Sequence, residues 1–211
     1  MMTHSDNATP PLGLTRSLLI MLPTALVITA ADQLTKQWAL NELVENAPAR
    51  EFIGEFIQLR LIFNPGAAFS FASGMTWILT LVSAAVIVYI AVMSRKLTSK
   101  LWAITLAMLL GGALGNLIDR LFRDPGFPTG HVVDFLDYGP FVGNVADIFI
   151  VGAAILLAVL SIFGVPAFVD NESLTDGDEE SREDDQQSVQ LSEGVVTDQD
   201  PESDNGSVRP S

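Results

Sequence analysis

The chain contains four long apolar runs that are separated by more polar connections. About 20 consecutive apolar residues cross the hydrocarbon core of a bilayer as a helix, and each run is close to that length. The pattern therefore predicts four transmembrane helices, at residues 17–40, 75–94, 101–122 and 145–169.

The first long connection has a different period. From Phe56 to Phe63, within the sequence "EFIGEFIQLRLIF" of residues 51–63, two sets of side chains alternate, and one of the sets is wholly apolar. This period of two predicts that residues 51–63 form a strand with one apolar face, lying on or beside the membrane surface. Pro65 and Gly66 then predict a turn in "NPGAAFSF".

Basic residues in the short connections predict the orientation of the helices. Connections that are rich in Lys and Arg face the cytoplasm, and here they hold Arg16, Arg95, Lys96 and Lys100. Both termini are then cytoplasmic, and the loops at about 41–74 and 123–144 are extracytoplasmic. Arg16 and the small residues from Thr29 to Ala31 also allow a cleavable signal peptide. The helical pattern continues through "DQLTKQWAL", however, which favours a transmembrane helix.

The net charge of -14 comes mostly from the C-terminal end of the chain, where residues 170–211 hold 14 acidic and 2 basic residues and lack aromatic ones. Such a segment cannot bury enough apolar surface to offset its ordering entropy. The fold class predicted is thus a mainly α-helical membrane protein with a small extracytoplasmic β-rich element and a disordered C-terminal tail. The predicted parts are a cytoplasmic segment 1–15, a membrane domain 16–169 and a cytoplasmic tail 170–211.

Polar residues interrupt the apolar runs close to their predicted outer ends. Asp32 and Lys36 are spaced i, i+4 in the first run, so they can pair. Gly112, Asn116 and Arg120 share one face of the third run, beside Asp119, and Asn144 and Asp147 open the fourth. The alternating direction of the helices brings all these groups to one leaflet. The same residues also fit structural roles: an ion pair for Asp32 and Lys36, a pair for Asp119 and Arg120, and an N-cap for Asn144.

Two of the acids suggest a specific chemistry. Asp147 lies in the first turn of an apolar run, and Asp134 lies in the apolar stretch "HVVDFL". Acids in such settings are costly and are often functional. In an aspartyl pair one carboxylate takes a proton from water, while the other, which is protonated, polarises a carbonyl group. The absence of cysteine, with only two histidines, excludes a thiol nucleophile and a histidine-rich metal site. We expect no cofactor and no nucleic-acid partner.

Five blocks in order, "DQLTK" (32–36), "NPGAAFSF" (64–71), "GNLIDR" (115–120), "VVDF" (132–135) and "NVAD" (144–147), closely resemble lipoprotein signal peptidase, or signal peptidase II. The resemblance implies an aspartic endopeptidase of the bacterial inner membrane. We expect it to be a monomer in contact with membrane lipid. Its substrates would be prolipoproteins, cleaved just before a cysteine that carries diacylglyceryl. It also implies that Asp134 and Asp147 are the catalytic pair. The implied substrate-contacting or site-shaping residues are Asp32, Lys36, Asn64, Gly112, Asn116, Arg120 and Asn144.

Two features depart from the family pattern: Gly143 stands where the family often has Phe, and the stretch between the two acids is short. Both departures concern the wall of the site. Two other functions remain open on the residues alone. A small proton-coupled transporter would also use membrane acids, but it needs polar groups near the midplane and access from both sides. A non-catalytic protein that binds lipoproteins would use the same groove.

Overall fold

A computed structural model of the protein describes residues 12–66 and 76–167. The predicted tail at 170–211 lies outside the described residues, as do residues 67–71 of "NPGAAFSF" and most of the predicted segment 1–15.

Four helices form the membrane domain: α1 (Leu14–Glu42), α2 (Thr76–Met93), α3 (Lys100–Phe122) and α4 (Val145–Ile162). Each is long and apolar enough to cross a membrane, α2 being counted with the 3-10 turn Ser94–Lys96 that follows it. The four predicted spans are therefore confirmed. The last helix ends earlier than predicted because Gly164 adopts a left-handed conformation, with φ of 65°, and Pro166 follows it.

The third helix is the centre of the bundle. In its apolar segment 50% of the residues are buried, against 17–22% in the other helices. Small residues allow neighbouring backbones to approach it closely. A Cβ atom at Gly111 would lie 2.8 Å from the Ile28 Cβ of α1, and one at Gly112 would lie 2.7 Å from the Ala146 carbonyl oxygen of α4.

The connections at one end of the bundle form a four-stranded antiparallel sheet in the order β1-β2-β3-β4. Its strands are β1 (Arg50–Ile53), β2 (Ile57–Asn64), β3 (Val132–Asp137) and β4 (Val142–Gly143). The predicted β-rich element is confirmed, but the single strand at 51–63 is wrong. Gly54, with φ of 54°, turns the chain, so the segment folds as a hairpin of β1 and β2.

The register of the sheet sets which side chains face the bundle. Asp134 of β3 is directly opposite Ile62 of β2, and Asn64 of β2 is opposite Val132. Alternate residues of a strand share a face, so Asn64 and Asp134 project from the same side of the sheet. We call this end of the bundle the sheet end; α1 and α3 finish there and α4 begins there.

Candidate active site

A buried lysine joins the helices at the sheet end. The side chain of Lys36 is 0% exposed. Its Nζ atom lies 2.8 Å from Asp32 Oδ2 and 2.8 Å from Asp119 Oδ2, and it donates a hydrogen bond of 3.0 Å to Asn116 Oδ1. The predicted pairing of Asp32 with Lys36 is thus confirmed, and the pair also ties α1 to α3.

Asp119 forms its direct ion pairs with residues other than Arg120, which was the alternative partner. Asp119 pairs with Lys36 and with Arg123, whose Nε lies 2.6 Å from Asp119 Oδ1. Consecutive helical residues point in different directions, whereas residues four apart share a face. Asp119 Oδ2 also accepts a hydrogen bond of 3.1 Å from the backbone N–H of Val133, so it fixes β3 immediately before Asp134.

Gln33 is a member of this cluster that the sequence did not single out. Its Nε2 donates to Asp32, to Asp119 and to the backbone oxygen of Gly115, at 3.2, 3.1 and 3.0 Å. Its position inside the "DQLTK" block was the available signal. The carboxylates of Asp32 and Asp119 are satisfied by Gln33, Lys36 and Arg123 together. Asp32 Oδ1 also accepts a hydrogen bond of 2.9 Å from the backbone N–H of Ala146.

Amide groups, rather than cations, hold the two remaining acids. Asp134 is 1% exposed and accepts hydrogen bonds from Asn144 Nδ2 at 2.6 Å and from Asn64 Nδ2 at 2.7 Å. Asp147 is half-buried and accepts from Asn116 Nδ2 at 2.9 Å and from the backbone N–H of Asn144 at 3.1 Å. Asn144 therefore contacts both acids.

Asn144 is also the N-cap of α4. Its Oδ1 accepts the backbone N–H of Asp147 at 3.1 Å, and the return bond from Asp147 completes a capping box. The N-cap interpretation is confirmed, but it does not exclude a second role, because the same amide donates to Asp134 and to Asn116 Oδ1. Local helix chemistry thus places Asp147, and the cap residue carries the link to Asp134.

The environment of the two acids differs. Burial raises the pKa of Asp134 to about 6; the hydrogen bond from Asn64 opposes this increase, the charge of Asp147 adds to it, and the hydrogen bond from Asn144 opposes it. Asp147 instead lies at the N-terminus of α4, where the helix dipole favours a negative group. The protein therefore places an acid with a raised pKa beside an acid in the first turn of a helix.

Arg120 is the third basic residue of the site. It is 9% exposed, and its Nε and Nη1 atoms have no hydrogen-bond partner among the described residues. It interacts electrostatically with Asp134, Asp119 and Asp147. The described cluster has three basic and four acidic members: Lys36, Arg120, Arg123, Asp32, Asp119, Asp134 and Asp147. A single proton shared by the carboxyl groups therefore makes the cluster neutral.

Apolar space flanks Asp147. A cavity of about 480 Å³ is lined by Ile148, Val151 and Ile155 of α4 and by the rings of Tyr138 and Phe141. The centroids of these two rings are 4.9 Å apart. A Cβ atom at Gly143 would lie 2.9 Å from Asp147 Oδ2, so glycine leaves room for the carboxylate beside this cavity.

The structure brings together all the residues predicted for the site except Gly112. That glycine lies where α3 meets α4, close to the Ala146 carbonyl oxygen and to Ile150. Its observed contact is helix packing. Gly115, which was not predicted, is closer to the chemistry, because a Cβ atom there would collide with the carboxylate of Asp32.

We expect Gly115→Ala to destabilise the protein by about 1–3 kcal/mol, the usual cost of overpacking, because the Asp32 carboxylate is held in place and cannot give way. Thermal unfolding in detergent measures the effect. Gly152→Ala is the matched control, because Gly152 is also a helical glycine. The atom nearest to a Cβ added there is Cε of the flexible Met108 side chain, at 3.3 Å. Equal stability of the two variants would contradict the proposed contact.

Four spans and a pair of amide-held acids at one end define a multi-pass membrane protein with a site for acid–base chemistry. A family model described as Signal peptidase (SPase) II matches residues 24–163. The chain therefore belongs to the signal peptidase II family and is an aspartic endopeptidase.

Curated relatives agree with the family. The lipoprotein signal peptidase of Mycobacterium avium (strain 104) is 51% identical over 150 residues, which cover 71% of this chain and 82% of that protein. That of Mycobacterium tuberculosis (strain ATCC 25618 / H37Rv) is 50% identical over 71% of this chain and 74% of its own length. The protein of Rhodococcus jostii (strain RHA1) is 49% identical over 70% and 74%.

Two solved structures of bacterial membrane enzymes, obtained by the in meso method, have the same fold. One has a TM-score of 0.59 at 25% identity and covers 70% of this chain and 88% of its own. The other has a TM-score of 0.58 at 26% identity, with 69% and 91% covered.

Proposed function

We propose that this membrane peptidase removes signal peptides from prolipoproteins, with Asp134 and Asp147 as its catalytic pair. The observation that carries the assignment is how the four acids of the cluster are held. Asp32 and Asp119 form ion pairs with Lys36 and Arg123, whereas Asp134 and Asp147 are held by neutral N–H donors. A carboxylate without a direct ion pair can exchange a proton at lower cost, as general acid–base catalysis requires.

The two acids take complementary roles in the proposed mechanism. Asp147 accepts a proton from water, and the resulting hydroxide attacks the carbonyl carbon of the scissile peptide bond. Protonated Asp134 donates a hydrogen bond to the carbonyl oxygen and stabilises the negative charge that develops there. The tetrahedral intermediate then collapses, the C–N bond breaks, and the proton held by Asp147 passes to the leaving amine.

We propose that the substrate presents a diacylglyceryl cysteine just after the scissile bond. Asp147 lies at the beginning of a helix that is long and apolar enough to span a membrane. This supports a position of the acid pair near the bilayer surface, where water reaches it while lipid chains stay in the membrane. The apolar cavity beside Asp147 is consistent with such a substrate. We propose that the enzyme acts as a monomer, because a single chain supplies both acids and the amide groups that hold them.

The same placement supports an orientation in a bacterial inner membrane. The basic connection at Arg95, Lys96 and Lys100 lies at the end of the bundle opposite the sheet. By the positive-inside rule this end is cytoplasmic, and the acid pair is then near the outer leaflet. Reporter fusions after residue 97 and after residue 126 should show cytoplasmic and external locations; the reverse would refute the orientation.

The transporter hypothesis is not favoured. Its polar path would have to continue through the bundle, but away from the sheet end the described core holds no buried charged side chain, and its buried polar residues are Ser17, Ser94, Thr98 and Thr105. It includes Met21, Ile90, Trp102 and Leu106, each at most 7% exposed.

The deciding experiment measures release of the signal peptide from lipidated and unlipidated forms of one prolipoprotein by purified protein. We expect efficient cleavage of the lipidated form alone. Binding without cleavage would support a non-catalytic protein, and equal cleavage of both forms would refute presentation by the lipid. Asp134→Asn serves as the inactive control.

The proposed roles also predict the pH dependence. Asp134 must be protonated, and the pKa of its carboxyl is about 6, so kcat/KM should fall as pH rises through about 6. This limb is measured by initial rates from about pH 4.5, roughly one and a half pH units below that pKa, to about pH 8.5. A rate that instead rises through pH 6 would assign the role of base to Asp134.

A further inference from the structure

The resemblance implied that Lys36 contacts the substrate or shapes the site, and its surroundings favour the second role. Its side chain is fully buried, and its ammonium group has three N–H donors. Three acceptors surround Nζ: Asp32 Oδ2, Asp119 Oδ2 and Asn116 Oδ1, at 2.8, 2.8 and 3.0 Å. The ammonium group therefore has no donor left for a substrate.

The contact with Asn116 determines which way the amide points. Asn116 Oδ1 accepts hydrogen bonds from Lys36 Nζ at 3.0 Å and from Asn144 Nδ2 at 3.1 Å. A reversed amide would place its NH₂ group against both donors. The oxygen must face Lys36, so the Nδ2 group must face Asp147, to which it donates at 2.9 Å.

We propose that Lys36 is a positioning residue for the catalytic pair, acting through Asn116 to hold the carboxylate of Asp147. The inference rests on the proposed function, since it takes Asp134 and Asp147 as that pair. Lys36 thus links the ion pairs of α1 and α3 to the amides that hold the two acids. Without it, only the hydrogen bond from Asn144 still opposes rotation of the Asn116 amide. A rotated amide presents its oxygen to Asp147, which repels the carboxylate and displaces it.

Lys36 also contributes its charge. The charged groups that interact with it are Asp32 on α1, Asp119 on α3 and Asp134 on β3. Asp134 interacts in turn with Arg120 on α3 and with Asp147 on α4. Burial raises the pKa of Asp134 to about 6, and among the smaller contributions the positive charge of Lys36 lowers it. Removal of Lys36 should therefore move the limb governed by Asp134 to higher pH.

Four purified variants test the inference: Lys36→Met, Asn116→Leu, the two combined, and Asp32→Asn combined with Lys36→Met. The last variant removes one acid and one base, so the net charge of the cluster is unchanged and folding is easier to retain. Arg60→Gln is the control, because Arg60 is a partly exposed cation that pairs with Asp137 at 3.1 Å, away from the acid pair.

For Lys36→Met we expect kcat to fall by about 10- to 100-fold, as for a misplaced catalytic group, with KM little changed and the pH limb moved upward. Asn116→Leu should cause a similar loss. The combined variant should lose little more than Asn116→Leu alone, because the two residues act in series. Asp32→Asn with Lys36→Met should lose kcat but keep its limb near that of the unmodified enzyme. Arg60→Gln should change none of these values.

Independent, multiplying losses in the combined variant would overturn the inference, as would an unchanged kcat in folded Lys36→Met. A raised KM with normal kcat would instead make Lys36 a substrate contact, and would overturn it too. If Lys36→Met does not fold, a normal kcat in the variant that combines Asp32→Asn with Lys36→Met would overturn the inference. Failure of the proposed function is distinct, since the unmodified enzyme would then cleave no lipidated substrate.

Discussion

Replacing either Asp134 or Asp147 by Asn should lower the cleavage rate of a lipidated prolipoprotein by about 100- to 10,000-fold, the range that general acid–base catalysis contributes. An amide has nearly the size of a carboxyl group but cannot exchange a proton at these pH values. Loss of either member therefore removes the shared proton from the pair. The double variant should be little worse than either single one, because groups that act as a unit are strongly non-additive.

The hydrogen bonds around the pair complicate this substitution and define its control. Both oxygens of Asp134 accept from amide NH₂ groups of Asn64 and Asn144, so an Asn at this position places a donor against a donor. Some destabilisation will accompany the loss of activity. Asp137→Asn is the matched control: Asp137 lies three residues further along β3, is 7% exposed and pairs with Arg60.

Rates must accordingly be measured on protein that is folded at the assay temperature, as shown by its thermal unfolding curve. The control should keep near-normal turnover. Turnover within about tenfold of the unmodified enzyme in a folded Asp134→Asn or Asp147→Asn variant would exclude that acid from the catalytic pair, because general acid–base catalysis accounts for at least 100-fold.

The membrane-spanning part of the fold could be predicted because a single physical requirement dominates it. A bilayer demands about 20 apolar residues for each helix, and the four runs satisfy it with little ambiguity. The hairpin was not predicted. Alternation from Phe56 to Phe63 identifies extended chain, but a period of two does not reveal that Gly54 reverses the chain between β1 and β2.

Local pairs in the site were predictable, and contacts between helices were not. The pair of Asp32 and Lys36 follows from i, i+4 spacing, and the same rule would have found the bond from Arg123 to Asp119. By contrast, Asn116 and Asn144 are 28 residues apart in sequence, and their hydrogen bond depends on the close approach of α3 and α4. That approach depends on Gly112. The sequence shows that this residue is small, but it does not show which helix packs against it.

Asp119→Asn should have the largest effect on stability of any change in the cluster, about 3–5 kcal/mol, with a smaller effect on the activity of the folded enzyme. Asp119 is 0% exposed and pairs with Lys36 and Arg123. Removing one partner of a buried ion pair leaves uncompensated charge in a region that water does not reach. The amide of Asn has one acceptor oxygen, whereas the two carboxylate oxygens of Asp119 both accept hydrogen bonds from the surrounding donors.

Stability and activity should therefore separate in this variant. Asp119 does not contact either acid of the proposed catalytic pair directly; it accepts a hydrogen bond of 3.1 Å from the backbone N–H of Val133, which precedes Asp134. Asp137→Asn again supplies the control, because its partner Arg60 has 41% of its side chain exposed and such pairs contribute about 1 kcal/mol or less. Thermal unfolding and kcat are measured on the same preparations. If Asp119→Asn were as stable as the control yet as inactive as Asp134→Asn, Asp119 would belong to the catalytic machinery, and the division between ion-paired and amide-held acids would be wrong.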